Sequence, residues 1–305
     1  MFGVFSSLFL YQIEDNSILS AEQSYLWKSE FPCTSMISII TAVHNLLPMN
    51  RLFLEMLKKH TRNPFELIII DNNSTDGSRE FFQEHADRVI LNSENYSYPH
   101  CQNQGIGAAR YDYLAFFNND ILVSEGWDEK ILEIMDEQGI EVISFATNDC
   151  TESRRSQKKI QRRFKWVKYP VKAVMGLNRW SLKLMLFLTY GNFNRYCERR
   201  YRKFGKQTVE GYSGSSIMMK RTALEKVGQW DERIQKADFE LFNRVKVRSL
   251  EEADILPLQL ATGIYFHHYK KLTNRYRPFA DADNLITLSE KWGERTGELR
   301  KDIVR

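Results

Sequence analysis

The sequence predicts an α/β domain, a mainly parallel sheet with flanking helices, interrupted by a basic helical insertion. Between residues 35 and 150, short runs of β-branched residues alternate with segments whose apolar residues recur at helical spacing. Such alternation is typical of βαβ units. Polar residues directly follow three of the runs, and residues 153–206 contain 17 Lys and Arg against one acid. These features predict one large domain with a ligand site at the carboxyl edge of the sheet.

Each predicted element is assigned from its own pattern. The strands are short apolar runs bounded by polar residues, at 35–43, 65–71, 88–92, 112–120, 141–147, 217–220 and 263–269. The helices repeat apolar residues every three or four positions, at 50–60, 74–85, 126–138, from 222 and at 236–248. In the second of these helices, a serine or threonine of the stretch STDGS is expected to be the N-cap.

Composition excludes several classes of protein. With 43% apolar and 27% charged residues, the chain of 305 residues has the composition of a soluble globular protein. Its longest mainly apolar run, 182–190, is too short to cross a bilayer. The apolar start of the chain has no basic residue before Lys28, which predicts an N-terminal extension over 1–34 and not a secretory signal. Four distant cysteines without a CxxC pair predict reduced thiols and a cytoplasmic location, with contact to the inner face of the membrane left open.

The polar residues after the predicted strands are candidates for ligand binding. In parallel sheets, ligands bind in the crevice at the carboxyl ends of the strands. Asn and Asp are also common turn formers, so one such cluster alone would indicate only a turn. Three clusters that converge on one edge favour a binding site. They are His44 and Asn45, Asp71 to Asn73, and Asn118 to Asp120.

Four motifs follow one another along the chain: SIITAVHN, LIIIDNNSTDGS, FFNNDI, and YSGSSIMMKRTALEKVGQWDERI followed by ADFELFNR. In this order they resemble the first strand, the nucleotide-binding second strand, the DXD-type metal motif and the acceptor-side and catalytic motifs of family 2 glycosyltransferases of the GT-A fold. The resemblance covers about residues 35–150 and 209–270. It implies a GT-A type single domain with a Rossmann-like sheet, and an inverting transfer of a sugar from a nucleotide diphosphate sugar to a hydroxyl.

A divalent cation, Mn or Mg, is expected at the third polar cluster. Cleavage of the donor's glycosidic bond leaves negative charge on the diphosphate, and carboxylates are natural ligands for a cation that stabilises this charge. Asp120 is the only carboxylate of the cluster, whereas Asn118 stands where the family often has an acid. His267 or His268 resembles the histidine that family members add as a metal or diphosphate ligand. An exposed polar turn is the alternative for this histidine pair.

The resemblance also implies a donor site. Asp71 resembles the aspartate that reads the base; a carboxylate accepts the N3–H of uracil, which favours a uridine diphosphate sugar, although a dTDP sugar presents the same edge. The stretch 102–109 resembles the segment over the donor, and a loop that enters a helix explains it equally well. The remaining donor-side candidates are Thr41, Ala42, Val43, Asn45, Asn103, Gly105, Asn118 and Asn119.

Asp238 is the candidate general base. Inversion needs one base to deprotonate the acceptor hydroxyl. In the family this base belongs to an acidic pair, which here reads Ala237–Asp238. A structural N-cap is the competing role for Asp238, and a packed aromatic is the competing role for Trp230. The acceptor-side candidates are Ser213, Gly214, Trp230, Asp231 and Glu240.

The basic insertion, residues 151–208, separates a nucleotide-sugar-binding half, 35–150, from an acceptor-binding and catalytic half, 209–305. Its interleaved basic and aromatic residues are typical of phosphate contacts and base stacking on nucleic acid. The stretch 171–190 instead reads as a basic amphipathic helix on an anionic membrane, and a solvated face is a third reading. The predicted acceptor is therefore anionic, either DNA with hydroxylated bases or a phosphorylated or lipid-linked glycan. The alternative function is a catalytically inactive GT-A-fold protein that binds nucleic acid or a membrane surface.

Overall fold

Nine strands form a mixed sheet in the computed structural model, which describes residues 36–270, 272, 279–299 and 303. The predicted extension over 1–34 lies outside these residues. All the predicted strands are present, and β5 and β7 are additional. The strands are β1 (Ile37–Val43), β2 (Phe65–Asn72), β3 (Arg88–Asn92), β4 (Tyr113–Phe117), β5 (Ile121–Leu122), β6 (Val142–Thr147), β7 (Thr208–Glu210), β8 (Ser216–Lys220) and β9 (Gln259–His268).

The sheet confirms the predicted α/β fold with mainly parallel strands. Its order is β3-β2-β1-β4-β8-β6-β9-β5, and β7 pairs with β9 outside this path. Strands β1 to β4 are parallel, as are β6 and β9. Strand β8 is antiparallel to both of its neighbours, β4 and β6. Because β8 runs the other way, its first residues lie at the same edge as the last residues of the parallel strands.

The helices cover both faces of the sheet. Strands β1 and β2 are apolar on both sides, as a sheet covered on both faces requires. Ile39 and Ile69 belong to one hydrophobic cluster, and Ile40 and Ile70 belong to the other. The helices are α1 (Leu47–His60), α2 (Ser78–His85), α3 (Tyr98–Ala108), α4 (Trp127–Glu137), α5 (Arg154–Met175), α6 (Arg179–Tyr190), α7 (Phe193–Phe204), α8 (Arg221–Val227), α9 (Ala237–Glu251), α10 (Leu288–Trp292) and α11 (Arg295–Glu298).

The expected serine or threonine cap of α2 is wrong. The N-cap residue is Gly77, which has a φ of 88° and no side chain to accept a hydrogen bond. Asp76 supplies the acceptors instead: Oδ1 accepts from the Ser78 backbone N–H at 3.1 Å, and Oδ2 accepts from the Leu47 N–H at 2.9 Å. One carboxylate therefore satisfies orphan donors at the starts of both α1 and α2.

The insertion is helical, as predicted, but the single amphipathic helix over 171–190 is wrong. Helix α5 ends before Gly176, whose φ of 66° is unfavourable for other residues. Asn178 then caps α6, accepting from the Ser181 backbone N–H at 3.0 Å, while Ser181 Oγ accepts from the Asn178 N–H at 3.0 Å. This reciprocal capping box makes α6 a separate helix.

Helices α5, α6 and α7 share the hydrophobic core of the sheet. Phe164, Leu182 and Phe193 belong to the same buried cluster as Ile264 and Tyr265 of β9. Among the described residues, no helix is long and apolar enough to span a membrane. The described cysteines, Cys101, Cys150 and Cys197, are buried and form no disulfide with one another.

Candidate active site

Strands β1, β2, β4, β6 and β9 end at one edge of the sheet, where β8 begins. A cavity of about 470 Å³ lies at this edge. Five predicted site residues line it: Asn118, Ser213, Gly214, Asp238 and His268. The topology thus brings residues more than a hundred positions apart to one site.

Three side chains form a charged chain beside the cavity. His268 Nε2 lies 3.1 Å from Asp120 Oδ1. On its other side, His268 Nδ1 lies 2.6 Å from Asp149 Oδ2. The end of β9 is fixed by backbone contacts: the Tyr269 N–H donates to the Asp120 carbonyl at 2.8 Å, and the His268 N–H donates to Asn148 Oδ1 at 2.7 Å. The imidazole is therefore held between two carboxylates on a rigid strand.

The charges in this chain support one another. Burial alone would lower the pKa of His268, but the carboxylates of Asp120 and Asp149 raise it to about 10. Burial alone would raise the pKa of Asp149, but the hydrogen bond and charge of His268, with the nearby Lys270 ammonium, lower that pKa overall. Lys270 Nζ lies 3.5 Å from Asp149 Oδ1. In this structure the site therefore favours the ionised forms of His268 and Asp149.

Of the two candidate histidines, only His268 lies against Asp120. Neighbouring residues of a strand point to opposite faces, and His267 points into the core. Its Nδ1 lies 2.9 Å from the Tyr190 hydroxyl, and its ring packs edge-on against Phe164 and Tyr269. Burial lowers the pKa of His267 to about 3, so the ring is neutral at physiological pH.

Asp238 borders the cavity from the first turn of α9. The N-cap position of α9 is Lys236, so Asp238 lies inside the helix and is not its N-cap. Gly214 packs directly against its carboxylate: a Cβ added at Gly214 would lie 2.2 Å from Asp238 Oδ2. The loop that contains Gly214 is fixed by Ser213, whose N–H donates to Ser144 Oγ at 3.1 Å. The position of Asp238 near a helix N-terminus favours its anionic form.

On the donor side, two buried polar atoms have no hydrogen-bond partner among the described residues, Thr41 Oγ1 and Asp71 Oδ1. The other oxygen of Asp71 accepts from Arg79 Nε at 2.8 Å and from the Ser74 N–H at 3.2 Å. Strand β1 brings Val43 into register with Asp71, and Ala42 precedes it. Buried polar atoms are nearly always paired, so two such atoms on neighbouring strands are unusual.

Asn45 and Asn119 connect loops at this edge. Asn45 donates its backbone N–H to Ser74 Oγ at 2.9 Å and accepts from the Thr75 N–H at 2.8 Å. Asn119 Nδ2 donates to Asn50 Oδ1 at 2.6 Å. Asn45 therefore ties the loops after β1 and β2 together, and Asn119 ties the loop after β4 to α1.

Two other donor-side candidates face away from the cavity. Gly105 is buried in α3 against the sheet, where an added Cβ would lie 2.2 Å from Ile40 Cγ2. Asn103 donates to the Trp230 carbonyl at 2.9 Å and accepts from the Trp230 N–H at 3.0 Å. Gly105 permits close packing of α3 on the sheet, and Asn103 anchors the segment before α9.

Trp230, Asp231 and Glu240 do not line the cavity. The indole of Trp230 packs edge-on against Tyr98 and Phe116, as the packed-aromatic alternative predicts. Lys291 Nζ lies 2.7 Å from Asp231 Oδ2 and 2.6 Å from Glu240 Oε1. Glu240 is fully buried, so its charge is neutralised by neighbours and is not presented to an acceptor.

Comparison with known proteins identifies the family. The model of Glycosyl transferase family 2 matches residues 38–228, which is more than half of the chain. The chain belongs to glycosyl transferase family 2. The match ends before Asp238, so the position of this residue in the site comes from the geometry alone.

Three curated relatives carry the word glycosyltransferase in their names. EpsH of Bacillus subtilis (strain 168) is 29% identical over 118 residues, which are 37% of this chain and 34% of EpsH. EpsJ of the same strain, whose name calls it uncharacterized, is 23% identical over 125 residues, 40% of this chain and 36% of EpsJ. GlyG of Streptococcus pneumoniae serotype 4 is 24% identical over 115 residues, 36% of this chain and 38% of GlyG. The matched segment thus spans about a third of each relative.

Asp149, Lys270 and Tyr98 are among the cavity-lining residues that sequence reasoning missed. Asp149 follows β6 in the stretch TND, and the same strand-end rule that selected Asp120 would have found it. Lys270 directly follows the predicted strand 263–269, so the same rule would have found it, whereas Tyr98 has no such signal. Tyr98 begins α3 with a buried hydroxyl that has no described partner.

The residues beside the cavity fit the divalent cation that this family commonly uses. Asp120 supplies a carboxylate, the type of ligand that Mn and Mg prefer, and His268 Nε2 would join it only after losing the proton that it directs at Asp120 in this structure. The described residues contain no group of three or more His, Cys, Asp and Glu side chains able to hold a metal. Diphosphate oxygens and water would therefore have to complete the coordination, as is usual for Mg at phosphate sites.

Proposed function

We propose that the protein is a metal-dependent, inverting glycosyltransferase that moves a sugar from a UDP-sugar to a hydroxyl of an anionic acceptor. The observation that carries the proposal is that one cavity is bordered both by Asp238 and by His268 of the Asp120–His268–Asp149 chain. Transfer needs two functions in one place, stabilisation of a leaving diphosphate and deprotonation of an attacking hydroxyl.

In this proposal Asp120 and His268 would hold the cation, and His268 Nε2 would release its proton on binding, because a ligating imidazole nitrogen must be unprotonated. When bound, the cation supplies positive charge that stabilises the leaving diphosphate. Asp149 accepts a hydrogen bond from His268 Nδ1, which fixes the ring so that Nε2 faces Asp120. A carboxylate behind a ligating histidine commonly fixes the ring in this way. Asp149 is therefore a positioning residue and not a ligand.

Asp238 acts as the general base. Its carboxylate accepts the proton of the acceptor hydroxyl as that oxygen attacks the anomeric carbon, and a single base is sufficient for inversion. Gly214 supports this role because it leaves room for the carboxylate beside the cavity. The N-terminus of α9 stabilises the negative charge that the Asp238 carboxylate must carry before it can accept a proton.

Asp71 and Thr41 recognise the donor base. Asp71 Oδ1 is a buried acceptor without a described partner, and a uracil N3–H is a donor that suits it. Arg79 Nε lies 2.8 Å from the other oxygen of Asp71 and so orients the carboxylate. The donor thus lies over the carboxyl ends of β1 and β2, in the nucleotide-sugar-binding half of the chain.

The acceptor side is basic. Lys270 lines the cavity, as does Gln157 of α5, the first helix of the insertion. Residues 153–206 carry 17 of the 43 Lys and Arg of the chain. An acceptor with phosphate groups, such as a phosphorylated or lipid-linked glycan or DNA with hydroxylated bases, is complementary to this charge.

A thermal-shift panel followed by an assay of UDP release tests the proposal. A ligand of the native state raises the melting temperature by linkage, so the panel of nucleotide sugars, each with and without Mn, identifies the donor and the cation. We expect a UDP-sugar to give the largest shift, and Mn to increase it. UDP release should then require Mn or Mg and stop with EDTA. If no nucleotide sugar shifts the melting temperature or releases its diphosphate, the proposal is wrong.

A further inference from the structure

The outer side of helices α5 and α6 carries an unusual concentration of exposed apolar side chains. Ten large hydrophobic residues are exposed in the described part of the chain, and seven of them lie between Trp166 and Leu188. Val174 is 84% exposed, Trp166 76%, Trp180 74% and Phe187 63%. Exposed apolar side chains that are concentrated in one part of a domain indicate a contact with a partner.

Basic residues share this surface. On α5, Arg155, Lys159 and Arg162 precede Trp166 by eleven, seven and four positions, spacings that place all four on one side of a helix. All three basic side chains are exposed. We call these exposed apolar and basic residues of α5 and α6 together the docking face. Its basic members are Arg155, Lys159 and Arg162. Its apolar members are Trp166, Tyr169, Val174, Met175, Trp180, Phe187 and Leu188.

The chemistry of the docking face favours an anionic bilayer over nucleic acid. Aromatic residues can stack on bases, but aliphatic side chains such as Val174 and Leu188 have no such partner on a nucleic acid. At a membrane interface, the aromatic and aliphatic side chains enter the boundary between headgroups and acyl chains, and Lys and Arg contact the anionic headgroups. Both the apolar and the basic residues of the docking face then have a partner in the bilayer.

Helix α5 lies between the docking face and the cavity. Helix α5 begins at Arg154, and Gln157 in its first turn lines the cavity, while Arg155 and Lys159 lie on the outer side of the same turns. A surface that contacts the outer side of α5 therefore lies next to the acceptor side of the site. We propose that the docking face binds an anionic phospholipid bilayer and that the acceptor is presented there on a lipid carrier. The lipid-carrier part rests on the proposed glycosyltransferase function, whereas the bilayer part does not.

Vesicle flotation with the full chain tests the docking face. The probes are vesicles of equal parts phosphatidylglycerol and phosphatidylcholine, vesicles of phosphatidylcholine alone, and a DNA duplex and single strand. We expect binding to the phosphatidylglycerol vesicles and weak binding to phosphatidylcholine. Reversing two charges, Arg155→Glu with Arg162→Glu, should lower the partition coefficient at least ~10-fold. Removing two aromatic side chains, Trp180→Ser with Phe187→Ser, should lower it by a similar factor.

Matched variants control for charge and exposed apolar area. Arg88→Glu with Arg295→Glu makes the same change in net charge at exposed sites on β3 and α11, and Leu250→Ser removes a side chain that is 65% exposed on α9. Both controls should bind vesicles like the unaltered protein. The melting temperature of every variant confirms that it is folded.

Two results would overturn the inference. One is the lack of affinity for phosphatidylglycerol vesicles at low salt, and the other is DNA binding that both variants weaken while vesicle binding is absent. Donor hydrolysis separates this inference from the proposed function. Vesicle binding without UDP release contradicts only the function, and UDP release without vesicle binding contradicts only the docking face.

Discussion

Replacing Gly214 with alanine is the most direct test of the site, because it displaces the proposed base without removing it. The added Cβ would lie 2.2 Å from Asp238 Oδ2 and 2.7 Å from its Cγ. The carboxylate would have to move by about 1 Å to reach van der Waals distance. A misplacement of about 1 Å in a reacting group commonly costs ~10²-fold in rate.

We expect Gly214→Ala to lower kcat by about 10²-fold while the Kd for the donor changes little, since Asp71 and Asp120 are unaffected. UDP release under saturating donor gives kcat, and the thermal shift with donor gives binding. Gly107→Ala is the matched control, because an added Cβ there has no heavy atom within 4 Å. If Gly214→Ala keeps the kcat of the unaltered protein, Asp238 is not the base in the position described.

Three further substitutions separate binding, catalysis and packing. Asp120→Asn should abolish turnover and remove the gain in UDP affinity that Mn gives, which isothermal titration measures; full activity would contradict the metal site. Asp238→Asn should lower kcat by ~10²-fold or more and keep donor affinity, and a large loss of donor binding instead would make it a donor-side residue. Gly105→Ala should destabilise the fold by about 1–3 kcal/mol, because its Cβ would meet Ile40 Cγ2 at 2.2 Å, whereas a donor-binding role predicts a weaker donor Kd at an unchanged melting temperature.

The strands were predictable because their signal is local. The runs of β1 and β2 are short and apolar at nearly every position. Such a run is typical of a strand that is covered on both faces of the sheet. The break between α5 and α6 was also encoded locally, by Gly176 and Asn178, but the amphipathic pattern over the longer stretch masked it. The helical repeat of apolar residues predicts one continuous helix, whereas Gly176 and Asn178 predict a helix end and a helix start. The structure follows Gly176 and Asn178.

The site was only partly predictable, since motif position does not determine where a side chain points. Asp120 and His268 meet because β5 pairs with β9, and β5 is only two residues long. Trp230 and Glu240 occupy positions that suggested acceptor contacts, yet Phe116 and Lys291 retain them in the interior. These contacts depend on elements far apart in the chain, which no local pattern specifies.

The shared core of the insertion and the sheet has a consequence for how the protein unfolds. Tyr190 of α6 contacts the buried side chains of Tyr265 and His267, and the next residue of the same strand is His268. Losing the insertion helices would therefore expose one face of the strand that carries His268. The basic insertion and the sheet should therefore unfold as one cooperative unit and give a single calorimetric transition. A protease should not be able to excise residues 151–208 without abolishing activity.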